Sequence, residues 1–116
     1  MIVQQTKTAL VDEIHAIIME KGIEAYFTVS EIERLSRPSG IRSLCVRYLA
    51  KSMLLEALGI DFSFTDISIG NSPEGAPIVE YGNTGIEVRL KELGIQKIFL
   101  SFTHNRKMVG VFMIFT

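Results

Sequence analysis

The strand signal from Met108 to Phe115 constrains this chain more than any other stretch. Val109, Val111, Met113 and Phe115 alternate with Met108, Phe112 and Ile114, so a strand here is apolar on both faces. Such a strand has to be covered on both sides, by the chain's own helices or by another subunit. Residues 97–103 form a second strand-like run, and the polar His104-Asn105-Arg106-Lys107 between the two predicts a hairpin. The end of the chain is therefore antiparallel sheet, and the remaining residues must supply at least one covering layer.

The earlier residues read as that layer. Leu10, Ile14, Ile17 and Ile18 recur at helical spacing and predict a helix over residues 6–21, stopped at Gly22. Thr28 and Glu31 have capping-box spacing, which starts a short second helix through Ile32 and Leu35. Residues 36–40, Ser-Arg-Pro-Ser-Gly, are turn chemistry. Residues 41–58 then run without Pro or Gly and give the longest helix signal, dense enough in apolar residues to be central. Phe62, Phe64, Ile67 and Ile69 suggest a strand. Turn signals over residues 71–77 lead to another strand near residues 78–81, and Thr84 caps a short helix through Leu93 that ends at Gly94. Helices first and antiparallel strands later make an α+β domain.

Composition narrows the function. With 116 residues the chain is one domain, 1–116, and 12 Lys+Arg against 13 Asp+Glu give a net charge of −1. No basic cluster supplies the field that nucleic-acid binding needs, so no nucleic acid is expected. No apolar run approaches the roughly 20 residues of a membrane span, and the first residues carry no signal-peptide pattern, so neither a membrane nor an export signal is expected. Cys45 has no partner for a disulfide and sits between Leu44 and Val46. It reads as an inert buried thiol in a reducing, cytoplasmic setting.

Zinc clusters, glycine-rich phosphate loops and Gly-x-Ser-x-Gly elbows do not occur in the sequence. His15 falls mid-helix and reads as an ordinary helix residue. His104, at a strand end beside Asn105, Arg106 and Lys107, can present an imidazole to an anion or simply form part of a turn.

Several short segments fall in a recognisable order. Arg47-Tyr48-Leu49-Ala50-Lys51-Ser52, continuing to Glu56-Ala57-Leu58-Gly59, resembles the helix motif R-F-A-A-K-E-A-x-x-K-A-x-G of holo-acyl-carrier-protein synthases, the small 4′-phosphopantetheinyl transferases. Phe27-Thr28 with Glu31 resembles the family's F-T-x-x-E, and Asp66-Ile67-Ser68-Ile69 its D-I-E-V strand. Gly75-Ala76-Pro77-Ile78 stands where the family has G-K-P, and Leu100-Ser101-Phe102-Thr103-His104 where it has V-S-L-S-H.

The resemblance implies a phosphopantetheinyl-transferase-like fold, an antiparallel sheet packed with helices. It also implies a reaction of fatty acid biosynthesis. Coenzyme A binds with magnesium, a serine of an acyl carrier protein attacks the diphosphate, and 3′,5′-ADP leaves. By the same resemblance Lys51 is a catalytic and coenzyme-binding lysine, and His104 with Thr103 lies at the coenzyme phosphates. Family members of this size are typically trimers with sites between subunits, so a homo-oligomer is expected.

The departures lie at the metal. The family's glutamate after the lysine is Ser52, its second helix lysine falls on Glu56, and its G-I-D strand is replaced by Gln4-Gln5-Thr6-Lys7. Ser52 and Glu56 are one turn apart on the same helix face, with Cβ atoms about 5–6 Å from each other. Glu56 is thus the candidate relocated metal ligand and catalytic carboxylate. Three readings stand at this point: a transferase, a family member without transfer activity that binds coenzyme A or a carrier protein, and an interaction domain assembled through its apolar last strand.

Overall fold

The computed structural model describes residues 3–34, 40–59 and 61–116. Strand β5 (Met108–Phe115) lies at the centre of a three-stranded antiparallel sheet, between β1 (Val3–Leu10) and β4 (Ile98–His104). Val109, Val111, Met113 and Phe115 point to one face and are buried there under helix α3 (Gly40–Leu58). The opposite face carries Phe112 and Ile114, in register with Thr6 and Gln4 on one side and Ser101 and Phe99 on the other. Leu10 and Phe99 stay 44% and 52% exposed on that face. The chain's own helices therefore cover one side of the two-faced strand.

Strand β1 corrects the expectation of a helix from residue 6. Its residues pair with β5 from Val3↔Phe115 to Leu10↔Met108, and only then does α1 (Val11–Lys21) begin. Thr6 and Thr8 are β-branched and suit a pleated surface, but the deciding contact is with a strand a hundred residues later. Within α1, Val11, Ile14 and Ile18 are buried while Ile17 is 39% exposed, so the inward stripe is narrower than the sequence suggests. His15 is half-buried on the same helix. Gly22, with φ +91°, ends α1, its N–H donating to Ile18 O at 2.8 Å.

Helix α2 (Val29–Arg34) follows the Thr28 cap as expected. Leu35 and most of the turn expected over residues 36–40 lie outside the described residues. Helix α3 is the central helix the sequence calls for, with Cys45, Val46, Leu49, Ala50, Met53, Leu54 and Leu58 all buried between the sheet and α1. Cys45 has no exposed surface and its thiol is pushed up to about 11, by burial first and by the nearby Asp12 charge second.

The region expected as one strand from Phe62 divides in two. Phe64–Asp66 form a single 3-10 turn, in which the Asp66 carboxylate accepts from Ser63 N at 2.9 Å, and strand β2 (Ile67–Asn71) begins after it. Strand β2 pairs antiparallel with β3 (Pro77–Tyr81) in a separate ribbon. Helix α4 (Thr84–Glu92) is capped by Asn83 rather than Thr84, since Asn83 Oδ1 accepts from Gly85 N at 2.9 Å. The described residues form an α+β fold built on antiparallel strands, the fold class that the sequence indicates.

Candidate functional site

Lys51 lies inside the molecule. It has no exposed surface, and its Nζ donates to Tyr26 O at 2.9 Å and to the Glu31 carboxylate. Glu31 is only 1% exposed; its Oε1 also accepts from Thr28 N at 3.0 Å and its Oε2 from Ile69 N at 3.0 Å. Burial pulls the Lys51 pKa below its ordinary value, with the Glu31 carboxylate opposing the shift and the Arg47 charge adding to it. The catalytic and coenzyme-contacting roles expected of Lys51 do not match this position. The turn of α3 that carries it faces the α2 N-terminus, where it neutralises a buried carboxylate. The capping box seen in the sequence is thus half of an ion pair that ties α2, α3 and β2 together.

One turn earlier, Arg47 faces a cleft of about 460 Å³ lined by Ser43, Asn71, Gly75, Pro77, Phe102 and His104 among others. Its guanidinium is held from several directions. Nε donates to Ile69 O at 3.0 Å, Nη1 to Ser43 O at 3.2 Å and Nη2 to Asn71 Oδ1 at 2.5 Å, and the group lies 6.0 Å from the Phe102 ring centroid. Gly75 takes φ +90° in the β2–β3 turn, where Gly75 N donates to Ser72 O at 2.9 Å and Ala76 N to Ser72 Oγ at 3.1 Å. His104 ends β4, and the following turn is fixed by Asn105 Oδ1, which accepts from Lys107 N and Met108 N at 2.8 Å each. A planar cation, an imidazole, an amide side chain and a tight turn thus converge on one opening, an arrangement suited to a phosphorylated ligand.

Thr103 does not belong to this cleft. Side chains alternate along β4, so Thr103 faces the outer side of the sheet, where its methyl would lie 3.6 Å from a Cβ placed on Gly110. Arg47, Asn71 and Ser43 are the site residues that residue-type reasoning missed. Arg47 opens the same helix motif that carries Lys51, and the motif's order is the signal that points to it.

Glu56 lies elsewhere. It is exposed and lines a recess of about 320 Å³ with Gln5, Thr6 and Lys7 of β1 and Met53 and Ala57 of α3. Ser52 donates its hydroxyl back to Leu49 O at 2.7 Å and does not line the recess. The magnesium implied by the motif does not fit this donor set. The recess offers one carboxylate with a lysine ammonium facing the same space, and no group of three metal-ligating side chains occurs among the described residues. The recess and the cleft flank opposite edges of the sheet, the first beside β1 and the second beside β4. Two strand spacings of about 4.8 Å lie between those edges. Along α3, Arg47 and Glu56 are separated by about 13 Å at 1.5 Å per residue.

No protein-family model matches the chain. A holo-acyl-carrier-protein synthase of Syntrophus aciditrophicus is 26% identical over 112 residues, covering 90% of this chain and 87% of that protein. Among solved structures, the holo-acyl-carrier-protein synthase of Neisseria meningitidis superposes with a TM-score of 0.81 at 22% identity, over 97% of this chain and 96% of its own. The Chronobacterium ammoniagenes protein in complex with coenzyme A also gives 0.81, at 15% identity over 100% and 97%. The Helicobacter pylori synthase, likewise in complex with coenzyme A, gives 0.76 at 20% identity over 98% and 100%. These structural likenesses establish the fold from end to end.

Proposed function

We propose that this chain is a member of the holo-acyl-carrier-protein synthase family that binds coenzyme A and transfers its 4′-phosphopantetheine to a serine of an acyl carrier protein. The observation that carries the reading is the cleft at Arg47. Motif pieces from distant parts of the sequence, Arg47, Gly75 to Pro77, Ser101 and His104, line one opening whose polar groups suit a nucleotide phosphate. Solved relatives of the same fold hold coenzyme A.

In this reading the Arg47 guanidinium and the His104 imidazole hold the phosphates of the adenosine 3′,5′-bisphosphate end. The serine oxygen forms a bond to the phosphorus of the pantetheine phosphate. The bond from that phosphorus to the bridging oxygen breaks, and 3′,5′-ADP leaves with the bond's electrons. The serine proton passes to a base, for which Glu56 is the exposed carboxylate candidate. Because cleft and recess lie on opposite edges of one sheet, the full site joins the cleft of one copy to the recess of another. A homo-oligomer, a trimer by family resemblance, brings them together through the outer sheet face of Phe99, Phe112 and Ile114.

The altered recess supports a second reading, a family member that binds coenzyme A or a carrier protein without transferring. Incubating the protein with coenzyme A, magnesium and a panel of apo carrier proteins, then weighing the carriers by intact mass spectrometry, separates the two. A carrier heavier by one phosphopantetheine is the expected result. Unmodified carriers throughout, with coenzyme A binding retained, give the second reading.

A further inference from the structure

We infer that the recess between β1 and α3 engages the diphosphate of coenzyme A through the Lys7 ammonium, with no divalent cation. The inference rests on the coenzyme A reading above and goes beyond it by assigning a charge-neutralising residue.

The recess is built from Gln5, Thr6 and Lys7 on one wall and Met53, Glu56 and Ala57 on the other. Lys7 pairs with Val111 across the ladder, and Val111 is buried under α3, so Lys7 lies on the helix side of the sheet rather than on its outer face. Its neighbours on β1 are the neutral Gln5 and Thr6, and Glu56 is the one acidic side chain lining the recess. A divalent ion placed there meets one carboxylate and is repelled by one ammonium. A diphosphate oxygen placed there meets an ammonium that no hydrogen bond or ion pair among the described residues occupies. The Lys7 ammonium supplies one of the two positive charges that a divalent ion would bring, in a recess that it shares with the Glu56 carboxylate. Lys7 is exposed on an edge strand, so its replacement leaves the core untouched.

Two probes isolate the claim. Coenzyme A carries the diphosphate, whereas adenosine 3′,5′-bisphosphate carries the nucleotide end alone. By titration calorimetry, the coenzyme A affinity of the wild-type protein should agree within about twofold between magnesium and EDTA. Lys7→Met should weaken coenzyme A by about tenfold or more, the value of one charge-assisted contact, and leave adenosine 3′,5′-bisphosphate unchanged. Magnesium tightening coenzyme A tenfold overturns the inference, as does Lys7→Met with wild-type affinity. Relaxation measurements with manganese alone test the recess without any nucleotide. Submillimolar manganese binding that Glu56→Gln abolishes overturns the inference while leaving the coenzyme A reading intact. No coenzyme A binding under either condition overturns that reading, and the Lys7 role with it.

Discussion

Replacing Lys51 by methionine keeps the side-chain volume in the core and deletes the ammonium that faces Glu31. The carboxylate left behind is 1% exposed. At about 4 Å and an effective dielectric of 20, a lost partner charge amounts to about 4 kcal/mol. Glu31 keeps its bonds from Thr28 N and Ile69 N, both 3.0 Å, and these stabilise the stranded charge in part. The expected cost is therefore about 3 kcal/mol, the lower end of the range for breaking a buried pair from one side. Urea unfolding followed by far-ultraviolet circular dichroism reads this directly, as a fall in midpoint of about 1–3 M. Glu31→Gln alone should cost a similar amount, and Lys51→Met with Glu31→Gln much less than the sum, since the pair is lost together. A Lys51→Met cost below about 1 kcal/mol, or additivity of the two within about 0.5 kcal/mol, would refute the interior role. So would a folded Lys51→Met protein that has lost adenosine 3′,5′-bisphosphate binding, which would return the lysine to the phosphates.

The same structure sets three further expectations. In the proposed binding mode, His104→Ala should weaken adenosine 3′,5′-bisphosphate by about tenfold in calorimetry at unchanged stability, since the side chain is exposed and its proposed contact to a phosphate is removed. Cys45 should resist thiol reagents in the native protein and react fully in denaturant. Its folded thiol ionises near 11 and its unfolded thiol near the ordinary 9.0, so its share of stability is complete below pH 9 and is lost as pH rises to 11. That share is about 2–3 kcal/mol, and a Cys45→Ala variant should show a correspondingly flatter alkaline decline in urea midpoint. In the oligomer proposed above, Phe99→Ser should shift the mass measured by light scattering towards the monomer, and an unchanged mass would remove the outer sheet face from the proposed interface.

Fold class and the terminal hairpin were legible because their signals are local. The alternation of Val109, Val111, Met113 and Phe115 is a property of adjacent residues, and strand β5 occupies the stretch it marks. Strand β1 was not legible, because Thr6 and Lys7 become strand by pairing with Phe112 and Val111 at the other end of the chain. The site shows the same division. Motif order identified Arg47, Gly75 and His104 as parts of one pattern, and these residues share the cleft. Lys51 belongs to that pattern too, but residue type alone does not tell an inward lysine from an outward one on a helix apolar nearly all round. The distinction required the position of Glu31, twenty residues earlier.

The backbone of Ile69 is held on both sides by side chains: its N–H donates to Glu31 Oε2 and its carbonyl accepts from Arg47 Nε. These groups turn away from the β3 partner, along the edge of the β2–β3 ribbon where no third strand pairs among the described residues. An unpaired edge is a template on which another chain can add a strand once it is exposed, and this one is kept buried against α2, with Ile67 and Ile69 0% and 1% exposed. Glu31 and Arg47 occupy its donor and its acceptor, so the two charged side chains also block intermolecular strand addition. Variants that release them should destabilise the fold and uncover this edge together, so β-aggregation at high concentration should accompany the loss of helix content rather than precede it.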